Sequence, residues 1–402
     1  MNNNYESNNL IFKNLKIQSF RGFQEISLSN LGKINLIVGT NNSGKTSLLE
    51  AIAIFCNPLD PFRWFDISQR RFSTNKTSIF RSRPSLESLQ WIFNNPIQLL
   101  NEQEDSTYIT IESEGDSPIN KLESKLDFNY SFLGQGNEYG LEDENEKDVN
   151  TINNNTLEDN AENFREGLEL KVSISLSNFN KNQENRDNQQ SLDYQEDSFQ
   201  IWENERFVHS NKRNRDLIKN ALLSPSYSYS YSYLQVRSFS KLILKDKDKK
   251  SEILELMRLF DNEIRDLTVL SPSKAADIYI EHDKLGLIPI HIYGDGIKRT
   301  LAISLALQSV NDGVLLIDEI ETSIHISALS KVFSWLVKAC DSQNIQLFIT
   351  THSLEAVDAM IQSIDDTDDV VAFQLNNIDN SVKRFSGDLL SRLRLDRGLD
   401  IR

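Results

Sequence analysis

Cysteine is nearly absent: Cys56 and Cys340 are the only two in 402 residues. That excludes a disulfide-stapled secreted fold, and the pair is expected as reduced packing residues in core helices of a cytoplasmic protein. Long apolar runs are missing as well. No stretch approaches the roughly 18 uninterrupted apolar residues of a membrane span, and Met1-Asn2-Asn3-Asn4 has neither the charged nor the apolar region of a signal peptide. No heptad pattern is sustained, which excludes a long coiled coil. Net positive charge is lacking too. The formal charge of −16 argues against salt-sensitive binding of nucleic acid over the whole surface. Hydrophobic residues still make up 39 % of the chain, enough for one sizeable core and an accessory lobe.

What is present is concentrated in a few short segments. Gly39-Thr40-Asn41-Asn42-Ser43-Gly44-Lys45-Thr46 follows the apolar run Ile34–Val38 and precedes a helical stretch from Ser47 to Ile52. Strand, glycine loop and helix in that order are the setting of a nucleoside-triphosphate phosphate cradle. Gly39 and Gly44 permit the tight turn, while the main-chain N–H groups of Asn41, Asn42, Ser43 and Ser47 and the positive helix end face the anion. Lys45 is expected to reach the β- and γ-phosphates and the Thr46 hydroxyl to ligate a magnesium ion. The alternative, a chance match in a Gly/Ser/Asn loop, lacks a reason for the flanking strand and helix.

Far down the chain, Gly313-Val314-Leu315-Leu316-Ile317-Asp318-Glu319 reads as a buried parallel strand ending in two carboxylates. Asp318 is a magnesium ligand, direct or through water, and Glu319 a base for the water that attacks the γ-phosphate. An isolated acidic pair would equally be a solvated strand end. Gln346-Leu347-Phe348-Ile349-Thr350-Thr351-His352-Ser353 is a further buried strand, and it delivers His352 toward the γ-phosphate. Between these elements, Gly294-Asp295-Gly296 opens a helix through Leu307, a second anion site or a plain capped turn.

The order of these motifs resembles the ABC-type ATPase heads of the SMC, RecF and OLD (overcoming lysogenization defect) group, most of all the bacterial AAA family ATP-binding proteins that carry such a head alone. Residues 10–57, with Ser19-Phe20-Arg21-Gly22-Phe23 leading into the phosphate loop, carry the first part of the likeness, and residues 236–362 the second. The resemblance implies an α/β P-loop NTPase fold with a mainly parallel sheet, ATP rather than GTP, and a homodimer that sandwiches two nucleotides. Gly294, Asp295 and Gly296 would then meet the partner's nucleotide. Gly294 stands where such signatures place serine, which weakens the case for ATP-driven closure. Glu321-Thr322-Ser323-Ile324-His325 occupies the D-loop position, with His325 in place of aspartate. The glutamine loop falls to Gln69 or Gln90 without a choice between them.

The chain divides accordingly into a discontinuous head, 1–57 and 236–402, and an inserted lobe, 58–235. Ser106–Ser113 and Leu168–Leu176 alternate like antiparallel strands, and the acidic segment 137–205 is expected to be mobile. The repeat Ser226–Tyr233 reads as a strand or a linker. Arg63, Arg70, Arg71, Lys76, Arg81 and Arg83 mix with Trp64, Phe65, Phe72 and Phe80, as a nucleic-acid groove or a half-exposed loop would. The stretch after Ser353 is too short for the Toprim nuclease of full-length OLD proteins, so any nuclease is expected in a separate effector partner. Two functional classes remain: an ATP-hydrolysing switch in DNA maintenance or phage defence, and a nucleotide sensor with little turnover. A DNA-binding repair ATPase is a further alternative.

Overall fold

The computed structural model describes residues 10–71, 86–93, 108–132, 164–177, 194–202, 217–225, 232–245, 247–272, 276–364, 369–376 and 381–402. Its centre is a six-stranded sheet in the order Val382–Ser386, Val370–Leu375, Ile34–Val38, Gln346–Thr351, Val314–Ile317 and Asn220–Leu223. All neighbours are parallel except the Val382–Ser386 edge strand. Val38 lies level with Thr351, and Ile317 with Ile349. Phosphate loop, acidic pair and His352 therefore leave the same sheet edge, where open α/β sheets bind ligands.

The apolar runs become strands because both faces are covered. Every residue of Ile34–Val38, Val314–Ile317 and Gln346–Thr351 is buried. Side chains alternate between two cores: Ile34, Leu36 and Val38 pack with Phe333 and Met360 of the outer helices Ile326–Ser342 and Leu354–Gln362, whereas Ile37 points to the other side. The buried Asn35 amide is satisfied, accepting from Gly32 N and donating to the carbonyls of Gly32 and Leu347.

On that other side lies a second six-stranded sheet, antiparallel throughout, in the order Glu25–Leu28, Asn14–Gln18, Tyr108–Glu114, Ile119–Phe132, Phe164–Leu176 and Tyr194–Trp202. Helix Lys45–Cys56 shares its core with both sheets and is buried at every position except Thr46. A helix covered on both sides must be apolar nearly all round, and Leu48-Leu49 and Ala51-Ile52-Ala53-Ile54-Phe55 are. The phosphate loop is thereby anchored to a helix buried at eleven of its twelve positions. A small three-stranded sheet, Ile264–Leu270, Asp277–His282 and Gly286–Pro289, packs with helices Ser232–Lys245, Lys247–Arg258 and Asp295–Ser309 around Phe239, Ile253, Ile278 and Leu301.

The mainly parallel sheet with an antiparallel companion is the fold class expected from the sequence. Its seams run differently from 57/58 and 235/236. Asn14–Gln18 and Glu25–Leu28, assigned to the head, belong to the antiparallel sheet, and Asn220–Leu223, assigned to the insertion, is an edge of the parallel one. Pairing between distant segments leaves no mark in local periodicity, so boundaries drawn from motif spacing miss it. The alternating segments around 106–113 and 168–176 are strands Tyr108–Glu114 and Phe164–Leu176. The acidic stretches 141–146 and 157–163 and most of the Ser-Tyr repeat lie outside the described residues.

Cys56 and Cys340 are free and buried in helices, and burial pushes both thiols up to about 12, which leaves them unreactive. Among the described residues, no helix is long and apolar enough to cross a membrane.

Candidate nucleotide-binding site

A cleft of about 430 Å³ opens at the carboxyl edge of the parallel sheet, lined by Asn41 through Ser47, Arg71, Asp318, Glu319 and His352. The two glycines of the loop are required by its shape. Gly44 has φ 89°, and a Cβ there would stand 2.4 Å from the Phe23 ring. Gly39 has φ 154°, with its Cβ position 2.6 Å from Ser43 Oγ. Lys45 Nζ donates to the carbonyls of Gly39 at 2.7 Å and Thr40 at 2.8 Å. Burial holds this ammonium below the ordinary lysine range, opposed by the carboxylates of Asp318, Glu319 and Glu321. The Ser43 hydroxyl is buried without a hydrogen-bond partner. A loop with a buried orphan hydroxyl, a cation and a helix N-terminus fits a phosphate chain.

The acidic strand reaches this loop through one hydroxyl. Thr46 Oγ1 donates to Asp318 Oδ2 at 2.9 Å, and Thr350 Oγ1 donates to Asp318 Oδ1 at 2.6 Å. Burial raises the Asp318 carboxyl above the usual aspartate range, and those two hydroxyls oppose the shift. Among the described residues no group of three or more His, Cys, Asp and Glu could hold a metal unaided. One hydroxyl and one carboxylate are, however, the partial oxygen set that suits magnesium, which completes its shell from phosphate and water.

Glu319 adopts φ 47°, a left-handed backbone unusual for a side-chain-bearing residue. Such strain costs of order 1 kcal/mol and is offset where Glu319 N donates to Thr350 Oγ1 at 2.8 Å. Its Oε2 accepts from Thr322 Oγ1 at 3.2 Å. Arg299, fully buried on the helix Asp295–Ser309, donates to the Asp318 carbonyl at 2.7 Å and to Ser224 O at 2.9 Å. Burial pulls this guanidinium down to about 10, against the pull of Asp318, Glu319 and Glu321. At the end of the neighbouring strand, His352 is held by Glu321: its N–H donates to Oε1 at 2.9 Å and its Nδ1 lies 3.0 Å from the same atom.

Gly294, Asp295 and Gly296 do not line this cleft. Gly296 packs against the turn after Glu319, where a Cβ would lie 2.9 Å from Ser323 O, and Asp295 pairs with Lys298 at 2.6 Å. Gly294 is the N-cap of the helix, with ordinary φ −60° and open space around its Cβ position. Gly294→Ser is therefore expected to fold and to stabilise the protein by roughly 0.3 kcal/mol through capping, which a small rise in Tm would record. His325 caps the helix Ile326–Ser342, its ring accepting from Ser327 N. Neither Gln69 nor Gln90 lines the cleft, but Arg71 does.

Arg71, Thr350 and Arg299 carry no motif of their own, and sequence reading gave none of them a place here. Thr350 was legible only as a hydroxyl beside His352. Arg71 belongs to the aromatic-basic run, whose described members are occupied by folding: Arg71 binds Ser47 and Glu50, Arg70 binds Asp66, Arg63 binds Asn220, and Trp64 and Phe65 are buried. Phe72, Lys76, Phe80, Arg81 and Arg83 lie outside the described residues.

Residues 34–358 match the family described as "AAA domain, putative AbiEii toxin, Type IV TA system". The chain is similar to an "ATP/GTP phosphatase" of Helicobacter pylori, with 22 % identity over 372 residues, 89 % of this chain and 90 % of that one. A shorter match is to the DNA replication and repair protein RecF of Idiomarina loihiensis, 54 % identical over 43 residues, 11 % of this chain and 12 % of the relative. Among solved structures, an SMC head bound to the C-terminal winged-helix domain of ScpA aligns at TM-score 0.47 and 11 % identity, over 94 % of this chain and 98 % of that one.

Proposed function

The chain belongs to this AAA domain family, its match extending over residues 34–358, and on that premise we propose that it is an ATP-hydrolysing switch. The observation that carries the reading is the 2.9 Å contact between Thr46 and Asp318, 272 residues apart, in a cleft that Lys45, Glu319 and His352 also line. The phosphatase name of the Helicobacter relative supports hydrolysis as the outcome.

Main-chain N–H groups from Asn41 to Ser47 hold the phosphates, and Lys45 leaves its two carbonyl partners to reach the β- and γ-oxygens. Magnesium, held by Thr46 and Asp318, would neutralise charge on those oxygens. Glu319 orients a water and takes its proton as the water oxygen bonds to the γ-phosphorus. The bond to the β-bridging oxygen breaks, and its electron pair leaves with ADP. His352 faces the γ-phosphate from the adjoining strand. Arg71, which lines the same cleft while paired with Glu50, adds a second cation.

Gly294, Asp295 and Gly296 lie off the cleft, which supports their use by a second copy of the chain, each signature turn meeting the other protomer's γ-phosphate. ATP then closes a head-to-head homodimer and hydrolysis reopens it. The resemblance to OLD and RecF heads supports an effector partner and a role in DNA maintenance or phage defence. One observation favours the alternative of a sensor with little turnover: Gly294 offers no hydroxyl to the partner's phosphate. Light scattering with and without magnesium and ATP tests the switch. A nucleotide-dependent doubling of mass supports it, and an unchanged mass at saturating ATP contradicts it.

A further inference from the structure

The turn that follows the acidic strand places one carboxylate where it serves a single residue. After the left-handed Glu319, the Ile320 N–H donates to the Thr350 carbonyl at 3.2 Å, tying the turn to the neighbouring strand. Glu321 then lies beside His352. Its Oε1 accepts from the His352 main-chain N–H at 2.9 Å and faces Nδ1 at 3.0 Å. Its Oε2 is buried without a hydrogen-bond partner, and the side chain is 13 % exposed against 48 % for His352.

Oε1 of Glu321 thus faces two nitrogens of His352, one in the main chain and one in the ring. A peptide N–H only donates, so Oε1 is an acceptor. With the carboxylate as the acceptor, the 3.0 Å approach of Oε1 to Nδ1 is favourable when the imidazole proton sits on Nδ1. That arrangement turns Nδ1 toward Glu321 and leaves Nε2 as the ring nitrogen not facing it. On the other flank, Arg402 Nη1 donates to the His352 carbonyl at 3.3 Å. Both main-chain groups of His352 are thus held.

We propose that Glu321 is the positioning residue for His352, setting its ring orientation and tautomer so that Nε2 addresses the γ-phosphate. The proposal rests on the hydrolytic reading above. When Nε2 carries a proton and donates to a phosphate oxygen, the carboxylate at Nδ1 balances the positive ring; carboxylates behind functional histidines serve the same ends elsewhere. The turn bearing Glu321 also carries Ser323, against whose carbonyl Gly296 packs.

Long-range 15N NMR of the histidine rings in nucleotide-free protein, in mildly alkaline buffer, tests the tautomer without requiring turnover. His352→Gln identifies the signal by its loss. The wild type is expected to show the Nδ1–H form and Glu321→Ala the Nε2–H form that free neutral imidazole favours. Glu321→Gln keeps Nδ1–H, because the amide oxygen must face the main-chain donor and so faces Nδ1 as well. In phosphate release, Glu321→Ala should lose about 10- to 100-fold in kcat with ATP affinity retained, and Glu321→Gln should recover most of that loss.

An Nε2–H ring in the wild type overturns the proposal, even if Glu321→Ala fails to fold. So does a Glu321→Gln variant as impaired as Glu321→Ala in both readouts. Absence of hydrolysis in every form would instead remove the parent reading, and the tautomer result would still stand or fall separately.

Discussion

Glu319→Gln is expected to lower kcat by at least about 100-fold while leaving ATP affinity within a few-fold of the wild type. The substitution is nearly isosteric and touches only the proton-accepting capacity. The left-handed backbone at φ 47° and the N–H donated to Thr350 involve main chain, and both survive. The Thr322 hydroxyl that now donates to Oε2 finds an amide oxygen instead. Lys45, Thr46 and Asp318, which hold phosphate and magnesium in the account above, are untouched. ATP should therefore stay bound and unhydrolysed, and if dimer closure follows ATP, this variant should accumulate as the dimer. Filter binding of labelled ATP beside phosphate release separates the two effects. Parallel losses of binding and hydrolysis would mean that Glu319 supports the fold of the site rather than the chemistry.

Lys45→Ala is expected to weaken ATP binding by about 100-fold, the loss of one charged hydrogen-bonding group worth about 3 kcal/mol. Its effect on the nucleotide-free protein should be small and of opposite sign. Burial lowers the Lys45 pKa in the folded state, so the folded protein disfavours the protonated form relative to the unfolded chain. At neutral pH, below the ordinary lysine pKa, that ammonium costs stability, and the cost falls as pH rises through the folded pKa. Removing it should leave Tm equal to or above that of the wild type. ATP at about 100 times the wild-type Kd stabilises a binding protein by about 2.7 kcal/mol, and Lys45→Ala should show little of this. Thermal melts with and without ATP read both quantities. A large fall in Tm without ATP would show that the two carbonyl contacts of Lys45 are structural.

The site's main residues were legible because each follows a continuous apolar run that only a doubly covered parallel strand explains. Ile34–Val38, Val314–Ile317 and Gln346–Thr351 are such runs, and each delivers its polar residues at the carboxyl end. The glycine spacing of the phosphate loop follows from positive φ and from the approach of Phe23 and Ser43.

What stayed hidden depends on pairings between distant segments. Nothing in Asn14–Gln18 announces that its partner is Tyr108–Glu114, and four residues at Asn220–Leu223 are too few for a period to appear. The second rank of the site is hidden for the same reason. Thr350 meets Asp318 and Glu321 meets His352 because adjacent strands share a register, and Arg299 meets the Asp318 carbonyl from the helix Asp295–Ser309. Arg71 reaches the loop because the helix Pro61–Gln69 ends beside Ser47 and Glu50. Its aromatic and basic neighbours in sequence suggested a groove, yet the described ones are spent on packing and ion pairs.

Steady-state phosphate release from ATP by the purified chain, run beside Lys45→Ala and Glu319→Gln under the same magnesium concentration, tests the central claim most directly. Turnover by the wild type and its loss in both variants are expected, with ATP still retained by Glu319→Gln. Saturable ATP binding without phosphate release by the wild type would contradict hydrolysis and leave a sensor. Turnover unchanged by either substitution would place the chemistry outside this cleft.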